Sequence, residues 1–297
     1  MKQNLIACVL FLFFGVLGVK SEPVILALHH EGNVTFYYDY QFDAAQEAAV
    51  DGDTIYLSEG TFDGTMWVRK PIHVIGGGQN TIINGYLVFV NDVYPDGFVV
   101  ENLKVKRHVH PDQHASVGMR LRKVWAEGIE HYNTSITDAY FVSCYFEDVN
   151  LANMVNTSFV NCKIENVSSS ASGNNAVLLM NCNINNPDGV DGASFMNCIM
   201  SGSFSGSATN CLLSIESELN TNNCWTYSTS LFDENLECNI PSDQMSQYIG
   251  TDGTVVGCYG GESPFSLNPT TPRILQKTVT LDKVAKKLNV NITVGTE

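Results

Sequence analysis

The residues best equipped for chemistry crowd into one run, KVKRHVHPDQHASVGMRLRK, from Lys104 to Lys123, which holds six basic side chains and three of the seven histidines. Alternate residues of a strand face opposite sides, so inward Leu103 and Val105 leave Lys104 and Lys106 outward, and inward Met119 and Leu121 leave Arg120 and Arg122 outward. The two pairs are offset by 16 along the sequence. If that offset makes one turn of a stacked structure, the four cations lie about 5 Å apart on one face. Like charges stacked this way cost stability unless an anion relieves them. Lys104, Lys106, Arg120 and Arg122 are therefore the candidate contacts for an acidic polysaccharide. The plain alternative is a solvated basic sheet face, neutralised by Asp112, Glu127 and Glu130.

The same run contains His108-Val109-His110-Pro111-Asp112-Gln113-His114, similar to a metal-binding His-x-His-x-Asp-His pattern but with one residue too many before the last histidine. His108 and His110 share a strand face and are the candidate ligands for a transition metal. The alternative is a loop that happens to be histidine-rich. A second loop, Asn185 to Gly192, offers Asp188 and Asp191 among tight-turn glycines, an oxygen set suited to Ca²⁺. A plain turn is the competing reading there, and no other cofactor is expected.

These residues need elements to position them. QFDAAQEAAV at Gln41–Val50 is rich in helix formers with Asp39 as a candidate N-cap, and it leads into DGDTIYLSEGTF, where the period changes to two. Short apolar segments bounded by Gly, Asn or Asp then follow one another, none with helical spacing. The middle of the chain repeats: FVSCYF, FVNCKI, LMNCNI, FMNCIM, TNCLL and NNCW place Cys144, Cys162, Cys182, Cys198, Cys211 and Cys224 at successive steps of 18, 20, 16, 13 and 13 along the sequence. Such steps are too short for a two-helix repeat and fit one β-coil each. Each Cys then occupies the same inward position as a small buried hydrophobe, and the Asn before it (Asn161, Asn181, Asn197, Asn210, Asn223) is placed to ladder its amide. Cys238 and Cys258 lie outside the column and are the disulfide candidates. RILQKTVTLD and KKLNVNITV read as a terminal β-hairpin closing the open end of the stack.

The opening stretch AAQEAAVDGDTIYLSEGTFDGTMWVRKPIHVIGGGQNTIING resembles the capping helix and first coils of the pectin-lyase-like superfamily, and the resemblance extends from about Gln41 to Gly261. Toward its end, GTDGTVVGCYGGESPF is similar to the last coil of many exported β-helix proteins of Bacteroidetes-type bacteria. The resemblance implies an all-β, single-stranded, right-handed parallel β-helix with an N-terminal capping helix and a C-terminal β-hairpin. The active enzymes of that superfamily carry acid, base and calcium motifs. This chain has no Asn-Thr-Asp, Asp-Asp or Gly-His-Gly segment, and neither Gln-Asp-Thr nor Gly-Arg-Pro-Trp. Glycoside hydrolysis in particular needs two placed carboxylates. The Arg-x-Pro segment of pectate-lyase-like enzymes is likewise expected to be missing.

The segment 1–21, with Lys2 before an apolar run from Leu5 to Val19, reads as a secretory leader. Residues 22–262 then form the capped β-helix and 263–297 the hairpin segment. Removing the leader leaves 14 basic against 31 acidic residues, a net charge of −17, which disfavours nucleic acid and anionic membrane. No later run is long enough to span a bilayer. The expectation is a secreted, periplasmic or cell-surface β-helix, non-catalytic, that binds acidic polysaccharide. Two alternatives stand beside it. One is a divergent polysaccharide lyase with Arg120, Arg122 or Lys106 as base and Glu101, Glu127 and Glu130 holding Ca²⁺. The other is a purely structural or adhesive solenoid.

Overall fold

The computed structural model describes residues 24–90, 93–94, 98–113, 115–131, 134–169, 176–187, 192–214, 221–227, 230–269, 273–282 and 287–295, the last two spans as backbone only. The leader, His114, Asp188 and Asp191 lie outside the described residues. Strands make up 49% of the chain, and they form a parallel β-solenoid of about six turns.

Coil stacks on coil in register. Leu121 pairs with Phe141, Phe141 with Phe159, Phe159 with Leu179, Leu179 with Phe195 and Phe195 with Ala208 along one wall. Val105, Ala126, Phe146, Ile164, Ile184, Met200 and Leu213 line up along the next. Both columns point inward and are buried. On the first wall the inward side chain shrinks from Phe195 to Ala208 where the coil itself becomes shorter, so the narrower turn still fills its interior.

From the strand Val100–Pro111 onward, two outer faces meet at a corner that takes one residue in the left-handed region: Asn102, Lys123, Ser143, Asn161, Asn181, Asn197, Asn210 and Asn223, with φ between 50 and 58°. Asn tolerates this conformation better than most side chains, which explains the recurring Asn-Cys. The corner interrupts the backbone ladder, and the thiol of the following residue repairs it. The Cys162 N–H donates to Cys182 Sγ (3.4 Å), that of Cys198 to Cys211 Sγ (3.3 Å) and that of Cys211 to Cys224 Sγ (3.4 Å). The Cys column thus satisfies orphan donors as well as filling space.

The N-terminal end is closed by an antiparallel hairpin, Ile25–His30 with Asn33–Tyr38, and by a helix at Phe42–Ala48 that is shorter than expected and preceded by a 3-10 turn at Asp39–Gln41. Asp39 is therefore not the helix N-cap. Gln46 fastens the helix to the first coil: its Nε2 donates to the Trp67 carbonyl (2.7 Å), and its Oε1 accepts from the Arg69 N–H (2.9 Å).

The last coil strand is Trp225–Thr226, and the chain then leaves the stack. Residues 231–256 pack Leu231, Phe232, Leu236, Ile240, Tyr248 and Val256 onto outward Ile199 and Leu212 in a second apolar cluster. Residues 249–269 run back along the left-handed corner as a strap. Asn210 Nδ2 reaches the Ile249 carbonyl (3.5 Å), Asn197 Oδ1 accepts from the Thr251 N–H (2.9 Å), and Asn181 Nδ2 donates to Asp252 (2.8 Å). Asn161 Nδ2 donates to the carbonyls of Cys258 (2.9 Å) and Gly260 (2.6 Å), and Lys123 Nζ to that of Asn268 (2.7 Å).

Three expectations change here. GTDGTVVGCYGG is strap and not a last coil, because its polar backbone pairs with Asn side chains rather than with a neighbouring strand. The Asn amides ladder only from Asn223 to Asn210 (3.2 Å); Asn210, Asn197, Asn181 and Asn161 turn outward to hold the strap. The hairpin strands Arg273–Asp282 and Lys287–Gly295 pair only with each other. They add no strand to the last coil, whose Trp225–Thr226 pairs with Leu212–Leu213 and where Trp225 is met edge-on by Tyr248 at 5.7 Å.

Candidate functional site

The predicted cations do not share a face. The strands Val100–Pro111 and Arg120–Ile129 pair with an offset of 21, not 16, so Arg122 lies opposite Glu101 and Trp125 opposite Lys104. The corner at Asn102 and Lys123 then separates Arg120 and Arg122, on the first face, from Lys104 and Lys106, on the second. Arg122 is bound through two nitrogens to nearly buried Glu101. This pairing ties Arg122 to the fold and gives nearly buried Glu101 a cationic partner. Arg120 lies beside Tyr140 in a 390 Å³ hollow under Ser263 of the strap.

The second face carries a continuous outward column: Lys104, Trp125, Tyr145, Lys163, Asn183, Ile199, Leu212 and Trp225. Its far half, from Lys163 on, is covered by the chain after the last coil. Lys163 is only 4% exposed, its Nζ 2.6 Å from Glu237 and seated against the rings of Tyr259 and Phe265. The near half is open. There Lys104 Nζ sits 3.8 Å above Trp125, and Trp125 stacks on Tyr145 at 5.6 Å with planes 2° apart. Successive side chains cover the ring faces, so sugar stacking is not what this column offers; it offers charge.

The charge is concentrated by a β-bulge. Val105 pairs with Ala126 and His108 with Gly128, so Lys106 and Arg107 together oppose the single residue Glu127. A two-against-one bulge leaves the extra residue unpaired and bends the strand. Here it exposes two consecutive cations beside Lys104. Alternation on the sequence could not place Arg107, because a strict period of two turns it inward. Arg107 Nη1 lies 3.9 Å from Glu127 in an exposed ion pair. Gly128 gives the His108 ring room: a Cβ there would sit 2.9 Å from its Cδ2.

His108 and His110 both pack against Tyr86. Tyr86 stands between them, stacked on His108 at 6.3 Å and edge-on to His110 at 5.6 Å. His108 Nε2 approaches Glu130 (3.4 Å), and His110 Nδ1 bonds the Pro111 carbonyl (2.8 Å). Among the described residues no group of three His, Cys, Asp or Glu side chains could hold a metal. Cys238 and Cys258 both have free thiols, although both line one 300 Å³ apolar cavity, and burial pushes both thiols up. The expected disulfide is not formed.

Below the bulge the second face turns acidic. Glu127, Glu147 and Glu165 occupy one outward column on three successive coils. Burial, then the carboxylates of Glu127, Asp148 and Glu165, push the Glu147 carboxyl up, with Lys104 pulling the other way. A raised carboxyl means that the folded state binds the proton more tightly, so this penalty is present at neutral pH and relieved as pH falls. Glu147→Gln is expected to stabilise the fold by about 0.5 kcal/mol at pH 7 and to gain less near pH 4; urea titrations at the two pH values check this.

The expectation that an Arg-x-Pro segment is missing is corrected by Arg69-Lys70-Pro71, which has that form. It serves the cap, since Arg69 binds Asp43 and Lys70 Nζ donates to the Ala49 carbonyl (2.7 Å). No helix among the described residues is long and apolar enough to cross a membrane. No family model, curated protein or solved structure matches the chain.

Proposed function

We propose that the protein is an exported, non-catalytic β-helix, right-handed and of the pectin-lyase-like kind, that binds an anionic polysaccharide through Lys104, Lys106 and Arg107. The observation that supports this reading is the bulge, which places two consecutive exposed cations beside a third on the part of the second face that the strap leaves uncovered. Evenly solvated lysines would need no bulge, whereas a strand bent to present adjacent cations suits a carboxylate- or sulfate-bearing chain. The strong negative charge of the whole molecule confines such a ligand to this strip. Binding of polygalacturonate or a sulfated glycan should weaken with salt, and Lys106→Ala and Arg107→Ala should each cost on the order of tenfold in affinity. Equal affinity in wild type and both variants would count against the strip.

A second reading, a calcium-assisted lyase, is favoured by one feature: Glu127 opposes Lys106 and Glu147 follows on the next coil, putting carboxylates on one side of a base candidate. In such an enzyme the metal would acidify the uronate proton that Lys106 removes. Unsaturated product formed only with Ca²⁺ and lost in Lys106→Ala would establish it.

A further inference from the structure

The charge pattern of the second face also sets the direction in which a polyanion lies on it. This inference rests on the anionic-glycan reading and adds its geometry. Outward groups along the strand Val100–Pro111 are Lys104, Lys106, Arg107, the partly exposed His108 and His110, with Tyr86 beside them on the preceding coil. In the column of the bulge the sign reverses along the coil-stacking direction: Glu127 is opposite Lys106 and Arg107, and Glu147 and Glu165 follow on the next two coils. Coils are about 4.8 Å apart, so a chain running down the solenoid would pass three carboxylates after its first contact. Arg107 approaches the first of them, at 3.9 Å, and Asn185 Nδ2 bonds the last at 3.0 Å. Repulsion at that spacing is felt strongly on a partly desolvated surface.

We infer that Glu127, Glu147 and Glu165 are specificity-determining residues that force an anionic glycan to lie along the strand Val100–Pro111, across the solenoid axis, and so limit the bound segment to the length of the basic strip. From Lys104 to His110 that strip measures about 20 Å, on the order of four sugar residues. The fence admits short anionic segments or chain ends and refuses an extended polyanion laid down the coils.

Oligogalacturonates of increasing length, titrated against the full protein and against Glu127→Gln/Glu147→Gln/Glu165→Gln, test this. Wild-type affinity should rise up to about four residues and then level off. In the triple variant affinity should keep rising with length, reaching on the order of tenfold above wild type for the longest oligomers. Absence of binding at every length would sink the glycan reading and this inference together. Binding that grows equally with length in both proteins would overturn the inference alone and leave the reading intact.

Discussion

Asn161→Ala is expected to destabilise the protein by about 3 kcal/mol, the largest effect of any single polar substitution at the corner. Two terms add. Alanine is strained in the left-handed backbone that Asn161 holds at φ 53°, and the buried carbonyls of Cys258 and Gly260 both lose their donor. Asn161→Gly separates the terms, because glycine accepts the backbone at no steric cost and still leaves both carbonyls bare. It should lose about half as much. Denaturant unfolding gives the magnitudes, and amide exchange should show faster opening at residues 258–261 in both variants. If Asn161→Gly matched wild type, the strap would contribute nothing and the corner would be purely a matter of backbone strain.

Glu237→Ala is expected to cost about 3 kcal/mol, and Lys163→Met at most about 1 kcal/mol. The asymmetry follows from burial. Lys163 is 4% exposed, and the Glu237 carboxylate, 2.6 Å away, is its charge partner. Removing the carboxylate strands an ammonium under Tyr259 and Phe265, whereas methionine removes the charge and keeps the stem packed against the same rings. The Asn235 carbonyl, 3.2 Å from Nζ, softens the loss only in part. Equal destabilisation by the two substitutions would mean that the pair matters as a favourable bond and not as a satisfied buried charge. Because Tyr259 also donates to Glu237 (2.8 Å), Glu237→Ala should loosen the strap as well, visible as exchange at Tyr259.

The solenoid was legible because the Cys steps are the coil lengths. Each Cys sits at a fixed place after the corner, so the spacings of the Cys column reappear as the pairings Tyr145 with Lys163, Lys163 with Asn183, Asn183 with Ile199, Ile199 with Leu212 and Leu212 with Trp225. The inward alternation of Leu103, Val105, Met119 and Leu121 was legible for the same reason: all four are buried. The strap was not, because a segment whose carbonyls meet Asn side chains has the same small, polar, glycine-rich composition as a coil. The division of the basic run was not legible either. The corner there is made by Asn102 and Lys123, and Lys123 in a left-handed conformation breaks the Asn pattern that marks the later coils. The bulge at Lys106 and Arg107 has no composition signal at all; it exists only relative to Glu127 on the next coil.

The strap and the strip are connected. By covering the outward column from Lys163 onward, the chain after the last coil leaves the second face open where Lys104, Lys106 and Arg107 project. The accessible part of the second face is thereby the part that carries the bulge and its cations.

The measurement that tests this account most directly is affinity electrophoresis of the wild type and of Lys106→Ala/Arg107→Ala through gels containing polygalacturonate or its fully methyl-esterified form. The account predicts retardation of the wild type by the acid and not by the neutral ester, with the retardation lost in the double variant while its melting curve is unchanged. Equal retardation of both proteins, or retardation by the ester as strong as by the acid, would contradict it.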